Sequence, residues 1–201
     1  MLVRHGEANA AVEQVVGGHA GCTGLSERGR RQVQALARRL ERTEELAGAS
    51  VLASSVLPRA IETAEAIAGA LGGLPIDSQC DLCELHPGEA DGLSWEEADR
   101  RFGPTRPFDP HRRVAPGGET WTEMAARTSS GLYRLATDNP GATVVVACHG
   151  GVVDSSFHAF LDVPARIFFP ENASITEWAV DDEGSWQLRR FNDHAHLLEL
   201  D

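Results

Sequence analysis

The chain has 201 residues, of which 42% are hydrophobic and 24% are charged, a composition ordinary for a soluble globular protein. Its 30 acidic and 18 basic residues give a formal net charge of −12. This charge argues against nucleic acid and anionic membranes as partners, because both require a basic face. No apolar stretch is long enough to span a bilayer and no signal peptide pattern is recognisable, so we expect a single cytoplasmic domain over residues 1–201.

Short apolar stretches alternate with amphipathic stretches of helical spacing along the chain. Ser26 is a predicted N-cap, Gly48 a predicted helix stop, and Pro58 is compatible only with the first turn of a helix. Helices are predicted over residues 26–46, 56–71, 95–102, 120–136 and 151–161, and strands over 1–3, 50–54, 75–83, 143–148, 174–180 and 186–191. This alternation predicts an α/β fold, a three-layer sandwich with a mostly parallel central sheet flanked by helices on both faces.

Polar side chains suited to phosphate chemistry follow three of the predicted strands. Arg4 and His5 follow the first strand, Arg59 lies shortly after the second, and His149 follows the strand over residues 143–148. Ligands of parallel sheets bind beyond the carboxyl ends of the strands, so we expect these residues to share one site. Arginine recognises phosphate through two parallel hydrogen bonds, and histidine can form a covalent bond during group transfer.

The four cysteines, Cys22, Cys80, Cys83 and Cys148, are too few and too scattered for a disulfide framework. Cys80 and Cys83 have CxxC spacing, which is a weak signal by itself. No second CxxC motif accompanies them, and no histidine pair with ligand spacing is recognised nearby. We therefore predict no metal site, no redox role and no cofactor.

Taken together, the motifs resemble those of the histidine phosphatase superfamily, the group that includes the cofactor-dependent phosphoglycerate mutases. The resemblance covers almost the whole chain. Its motifs are Arg4-His5-Gly6-Glu7, Thr23-Gly24-Leu25-Ser26, Ser54-Ser55-Val56-Leu57-Pro58-Arg59-Ala60, Glu84 with Gly88 and Gly92, Gly117-Gly118-Glu119, and His149-Gly150-Gly151-Val152.

The resemblance implies catalytic roles for five residues. His5 would attack phosphorus and carry the phosphoryl group, while Arg4 and Arg59 would clamp its oxygens. His149 would donate a hydrogen bond to a phosphoryl oxygen. Glu84 would protonate the leaving oxygen and then deprotonate the incoming water.

Four further residues are expected to bind substrate. Thr23 and Gly24 are expected to contact phosphate, or else they only start the following helix. Gly150 allows a ligand to approach the backbone closely. The phosphate-contacting asparagine usual in the family would fall on Ala11, six residues after the nucleophile, and Asn9 is the candidate to replace it.

Residues 86–118 are predicted to form an insertion at the rim of the substrate pocket, because loops after strand ends carry specificity. Arginines in this segment would meet a second anionic group of the substrate or would be solvated. Glu89 lies within it and is an alternative to Glu84 as the proton donor. The rim candidates are Trp95, Phe102, Arg106, Phe108, His111, Arg112 and Arg113.

The predicted function is hydrolysis of a small phosphomonoester, such as a sugar phosphate, phosphoglycerate, phosphoserine or nucleotide. A 2,3-bisphosphoglycerate-dependent mutase is the alternative, but mutases of the family have a tyrosine where this chain has Pro87. A non-catalytic binding member would have lost His5 or an arginine. A homodimer is left open. The stretch before Arg4 is shorter than in the family, which also leaves open a start upstream of Met1.

Overall fold

The computed structural model describes residues 1–105, 107–163, 168–198 and 200. None of the helices in these residues is long and apolar enough to cross a membrane. The helices are α1 (Asn9–Val12), α2 (Glu27–Thr43), α3 (Pro58–Ala68), α4 (Trp95–Phe102), α5 (Trp121–Asp138) and α6 (Gly150–Leu161). The strands are β1 (Leu2–Arg4), β2 (Ala49–Ser54), β3 (Ile76–Ser78), β4 (Thr143–Cys148), β5 (Ile175–Val180) and β6 (Trp186–Asp193).

The six strands form one sheet in the order β3-β2-β4-β1-β5-β6. The pairs β1–β4, β2–β4 and β2–β3 are parallel. Strand β5 runs antiparallel to both β1 and β6. The predicted α/β fold with a mostly parallel central sheet is confirmed. The carboxyl ends of β1, β2, β3 and β4 therefore lie along the same edge of the sheet.

Both faces of the sheet are covered by helices, because neighbouring strand residues enter different apolar clusters. Leu2 and Val146 pack with side chains of α5 and α6, such as Met124. Val3 and Val145 pack on the opposite face, with side chains of α2 and α3. A strand buried on both faces reads as an unbroken apolar run, which explains the sequence pattern of β4.

Several predicted boundaries are corrected by the structure. Ser26 caps α2 as predicted, since its hydroxyl accepts a hydrogen bond from the Gly29 amide, but the helix ends before Gly48 at Glu44, whose φ is 54°. Helix α3 begins at Pro58 and gives way to a 3-10 turn at Gly69–Leu71. Helix α1 was not predicted, because one turn leaves no periodic pattern.

The prediction of an extended segment over residues 75–83 is wrong beyond β3. A 3-10 turn covers Cys80–Leu82 and buries Leu82. The guanidinium of Arg127 donates hydrogen bonds to the carbonyls of Cys80 and Cys83 at 2.9 and 3.1 Å. A side chain on α5 thus satisfies backbone groups that a strand would have paired with a neighbouring strand.

The first turn of α2 packs directly against the loop that leaves β1. A Cβ atom at Gly29 would overlap the carbonyl oxygen of Glu7, and one at Gly6 would lie 2.6 Å from the carbonyl oxygen of Gly29. Any side chain at either position would force the two segments apart. This close contact fixes the direction in which the chain leaves β1, immediately after His5.

Candidate active site

Four of the predicted catalytic residues line one cavity of about 960 Å³ at the carboxyl edge of the sheet. These are Arg4, His5, Arg59 and Glu84. The ring of His149 lies beneath them, with its centroid 5.1 Å from that of His5 in an edge-to-face arrangement. Parallel pairing of β1 and β2 with β4 carries the strand-end residues to this place.

The hydrogen bonds of the His5 ring identify which of its two nitrogens lacks a proton. Nδ1 lies 2.6 Å from the carbonyl oxygen of Gly6, which can only accept, so Nδ1 carries the proton. Nε2 therefore holds a lone pair, which accepts a hydrogen bond from Nε of Arg59 at 3.1 Å. Arg59 also donates from Nη1 to the carbonyl of Gly17 at 2.8 Å. These contacts fix the tautomer of His5, a residue that lines the cavity, with Nε2 as its basic nitrogen.

The surroundings of both histidines favour the neutral ring. Burial lowers the pKa of His5 well below its ordinary value, and the charges of Arg59 and Arg4 lower it further. Burial also lowers the pKa of His149 well below its ordinary value, with Arg59, His5 and Arg4 contributing in the same direction. A neutral imidazole at His5 is the form that can act as a nucleophile.

Several buried polar atoms at the base of the cavity have no hydrogen-bond partner among the described residues. They are both ring nitrogens of His149 and Nε of Arg4. Another nitrogen of the Arg4 guanidinium donates to the carbonyl of Pro170. Buried polar groups are normally paired, so these atoms retain hydrogen-bonding capacity that the described residues do not use.

The Glu84 carboxyl group is held at the side of the cavity by two backbone amides. Oε2 accepts from the Gly151 amide at 3.0 Å, and Oε1 accepts from the Leu85 amide at 3.1 Å. A Cβ atom at Gly151 would overlap Oε1 of Glu84 and lie 2.6 Å from the terminal methyl of Met124. The alternative donor, Glu89, is exposed and does not line the cavity.

The predicted substrate-binding residues Asn9, Thr23 and Gly24 do not line this cavity. Nδ2 of Asn9 donates to the carbonyl of Thr23 at 3.4 Å, and the Asn9 amide donates to the carbonyl of Gly24 at 3.0 Å. Asn9 thus ties two loops together, and the methyl group of Ala11 lines the cavity nearby. Gly150 lies against the Arg4 guanidinium, where a Cβ atom would sit 3.5 Å from Nε.

The segment 86–118 contributes one wall of the cavity. Arg113 is paired with Glu123 at 2.5 Å, and Arg112 donates to the carbonyl of Pro104 at 2.6 Å, so both guanidinium groups already have partners. Of the other rim candidates, Phe102 and His111 do not line the cavity, and Arg106 lies outside the described residues. Those that line it are Trp95, Phe108, Arg112 and Arg113.

The fold brings a pair of histidines to the CxxC motif, although no histidine pair with ligand spacing is recognised near it in the sequence. Ligand atoms of His19, Cys80, Cys83 and His86 all lie within 4.8 Å of one another. The spacing Cys80-x-x-Cys83-x-x-His86 was a sequence signal for three of these residues. His19 had no such signal, because it is distant in sequence and only the fold brings it to the other three.

Comparison with known proteins identifies the family. A model of the histidine phosphatase superfamily, branch 1, matches residues 1–194. The chain belongs to the histidine phosphatase superfamily. Relatives include a phosphoglycerate mutase-like protein 4 of Arabidopsis thaliana, 31% identical over 99% of this chain and 86% of the relative.

Another relative in the histidine phosphatase superfamily is a glucosyl-3-phosphoglycerate phosphatase of Mycobacterium tuberculosis. It is 30% identical to this chain, over 98% of the chain and 95% of the relative. Among solved structures, the YhfR protein of Bacillus stearothermophilus superposes with a TM-score of 0.85 at 27% identity, covering 98% of this chain and 97% of that one. The family resemblance identified from the sequence motifs is therefore confirmed.

Proposed function

We propose that this chain hydrolyses a small phosphomonoester through a phosphohistidine intermediate on His5. The observation that carries the proposal is the set of buried polar atoms at the base of the cavity that have no partner among the described residues. They are Nε of Arg4, which is a donor, and the two ring nitrogens of His149, one of which is a donor in the neutral ring, and they lie beside the lone pair of His5. A phosphoryl group offers several acceptor oxygens around one electrophilic atom, which matches this set. The phosphatase named among the relatives supports hydrolysis.

In the first step, Nε2 of His5 attacks phosphorus while the bond from phosphorus to the ester oxygen breaks. Glu84 gives its proton to the departing oxygen and becomes a carboxylate. Arg4, Arg59 and His149 donate hydrogen bonds to the equatorial oxygens, where charge accumulates in the transition state. Arg59 must move its Nε donor from His5 to a phosphoryl oxygen, which frees the lone pair for the attack.

In the second step, the Glu84 carboxylate removes a proton from a water molecule whose oxygen attacks phosphorus. The bond between phosphorus and Nε2 of His5 breaks, and inorganic phosphate leaves. His5 is again neutral with its proton on Nδ1, and Glu84 again carries a proton, so the cycle closes. Both steps need the Glu84 carboxyl near the apical position of the phosphoryl group.

Turnover of a panel of phosphomonoesters tests the proposal. The panel contains sugar phosphates, phosphoglycerates, phosphoserine, nucleotides and 4-nitrophenyl phosphate. We expect the wild-type chain to release inorganic phosphate from at least one of them. His5→Ala should abolish this release, while His158→Ala, which alters an exposed histidine on α6, should not.

The intermediate is tested with a substrate carrying radioactive phosphate, quenched in alkaline detergent because phosphohistidine is labile in acid. Label on His5, lost in His5→Ala, is the expected result. Full activity of His5→Ala on the best substrate would contradict the mechanism. Absence of turnover on the whole panel would favour the alternative of a non-catalytic binding member.

A phosphoglycerate mutase is the second candidate, favoured by the name of the plant relative. A mutase would interconvert 2- and 3-phosphoglycerate in the presence of 2,3-bisphosphoglycerate faster than it released inorganic phosphate. The two products are measured in the same reaction. We expect phosphate release to dominate, because Pro87 stands where mutases of the family have a tyrosine.

A further inference from the structure

A second cluster of reactive side chains lies beside the cavity and takes no part in the proposed hydrolysis. Sγ of Cys80 lies 3.9 Å from Nε2 of His19 and 3.6 Å from Nε2 of His86, and Cys83 completes the group. We propose that these four residues bind a zinc ion in a structural Cys2His2 site that joins the two loops carrying them.

The separations suit the geometry of zinc. With bonds of about 2.3 Å to sulfur and 2.0–2.1 Å to nitrogen, a tetrahedral zinc ion places its ligand atoms roughly 3.4–3.8 Å apart. The two distances from Cys80 are already close to this range. The widest separation in the group is within 4.8 Å. His19 and Cys80 are exposed, so small rotations of their side chains bring all four atoms onto one ion.

Groups around the cluster orient the ligands as the outer shell of a zinc site does. Nε2 of His86 faces Cys80, while its Nδ1 lies 3.4 Å from Oε2 of Glu119. A carboxylate on the second ring nitrogen fixes the orientation of a ligating histidine and raises its basicity. Glu119 is itself held by Arg127 at 2.7 Å. This chain of contacts holds His86 in place from α5.

The cysteine ligands are supported in the same way. The hydroxyl of Ser55, at the end of β2, lies 3.3 Å from Sγ of Cys83 and can donate to a thiolate there. Arg127 binds the carbonyls of Cys80 and Cys83, which holds the CxxC turn in its conformation. The protons lost by the two thiols leave two negative charges, which match the charge of Zn²⁺.

The loop that carries His19 is also fixed before any ion binds. The carboxylate of Asp91 accepts hydrogen bonds from the amides of Gly18, Ala20 and Gly21 at 2.8–2.9 Å. The ligands therefore come from two segments that are each held independently, residues 18–21 and residues 80–86. Binding one ion would link them directly.

Four protein ligands leave no open position on the ion, which is the arrangement of a structural site and not of a catalytic one. Both linked segments contribute to the cavity wall, since Gly18 lines the cavity from one loop and Glu84 from the other. Zinc would therefore stiffen the backbone on both sides of Glu84 without contacting the phosphoryl group. The proposal does not depend on the proposed hydrolysis, because binding is measured directly.

The test uses the full chain without an affinity tag, reduced and stripped of metal. Zn²⁺ is titrated against a competing chromophoric chelator, and Co²⁺ serves as the spectroscopic probe. We expect one ion per chain, a rise in the melting temperature on binding, and the thiolate-to-cobalt charge-transfer and intense visible bands of a tetrahedral site. Phosphatase activity is recorded separately.

The variants Cys80→Ser and His19→Gln each remove one ligand. Their loss of zinc affinity should exceed the roughly 10–100-fold that outer-shell changes cost. The control His158→Gln changes another exposed histidine and should bind zinc like the wild type. The proposal is overturned if the reduced wild-type chain binds zinc no more tightly than Cys80→Ser. It is also overturned if the cobalt complex lacks thiolate charge transfer, or if Cys80 and Cys83 prove to be a disulfide whose reduction creates no site.

Discussion

Nε of Arg59 donates its hydrogen bond to Nε2 of His5, the atom proposed to attack phosphorus. The lone pair of the proposed nucleophile is therefore engaged by the guanidinium that is proposed to clamp the substrate. The same guanidinium is one of the causes that lower the pKa of His5, after burial of the ring. Arg59 thus adds to the effect of burial in favouring neutral His5, and it is proposed to release the ring when phosphate binds.

Replacing Arg59 tests both effects. Arg59→Ala should lower kcat by ~10²–10³, the usual cost of removing one preorganised transition-state donor. It should also raise the pKa of His5, because a positive charge beside the ring is lost. The pKa is measured by NMR titration of the His5 ring, with the ring of His158 as an internal reference. An unchanged His5 titration would contradict the electrostatic role.

Arg59→Lys separates charge from geometry. Lysine keeps the positive charge but lacks the planar fork and the Nε donor, so the two arginine effects need not change together. We expect the pKa of His5 to stay low while kcat remains well below that of the wild type. If kcat recovered fully, the clamp would need only a positive charge.

Glu84→Gln is expected to slow esters with poor leaving groups far more than 4-nitrophenyl phosphate, whose leaving oxygen needs little protonation. The loss on an alkyl phosphate should be ~10²–10⁴-fold, the usual contribution of general acid catalysis. Glu89→Gln is the matched control, since Glu89 is exposed outside the cavity. A larger effect of Glu89→Gln than of Glu84→Gln would exchange the two assignments.

Gly151→Ala tests the position of Glu84 without changing its chemistry. The added methyl group would overlap Oε1 of Glu84, so the carboxyl must move. We expect the same leaving-group dependence as in Glu84→Gln. At the neighbouring Gly150 a methyl group meets nothing closer than 3.5 Å, so Gly150→Ala should have the smaller effect. The measurement is kcat of each variant on an alkyl phosphate and on 4-nitrophenyl phosphate. Equal losses of kcat in the two variants would contradict the steric argument.

The lowered pKa of His149 should make the fold less stable in acid. Below pH ~6.5 the unfolded chain binds a proton on His149 that the folded chain does not bind. The free energy of unfolding therefore falls as pH falls, by up to about 1.4 kcal/mol per pH unit for one such group. His149→Asn removes this contribution and should flatten the pH dependence. Urea unfolding in phosphate-free buffer between pH 5 and pH 7.5 measures it (roughly the window of histidine titration).

His111→Asn, at an exposed position, is the control for this measurement. Part of the acid sensitivity should remain in His149→Asn. Burial of His5 and of His196 also lowers their pKa values, that of His196 to about 4. If the pH dependence of His149→Asn equalled that of the wild type, the proposed cost of burying His149 in its neutral form would be wrong.

Arg39 anchors the last strand to α2. It pairs with Glu45 at 2.7 Å and with Asp193 at 2.6 Å, and its side chain is 14% exposed. Arg39→Met should lower the free energy of unfolding by about 1–3 kcal/mol, between the values for surface and buried ion pairs. Arg38→Met changes the exposed neighbour and should have little effect. Equal losses in chemical denaturation would show that the ion pairs contribute nothing measurable.

The sequence predicted the strands and helices well where periodicity and capping agreed. The N-cap at Ser26 and the buried run of β4 are examples. It failed after β3, because the turn at Cys80–Leu82 depends on hydrogen bonds from Arg127, a residue far along the chain. A contact of that kind leaves no local pattern.

The site divides in the same way. Arg4, His5 and His149 could be placed together because strand ends of a parallel sheet meet at one edge. Asn9 and Thr23 could not be placed, since their orientation depends on how the loops before α2 fold over each other. The closeness of His19 to the CxxC motif could not be predicted for the same reason. The loop that carries His19 is held by hydrogen bonds to Asp91, which is distant in sequence.

The back-to-back contact of Gly6 and Gly29 has a consequence for reading related chains. Gly6 must be glycine because the two backbones leave no space for a side chain there. Its neighbour His5, in contrast, is proposed to take part in the reaction. A descendant that lost phosphoryl transfer would still need Gly6 in order to fold, and it would keep that letter of the Arg4-His5-Gly6 signature. Under the proposed mechanism, His5 and Arg4 are therefore the residues of this signature that would report on activity.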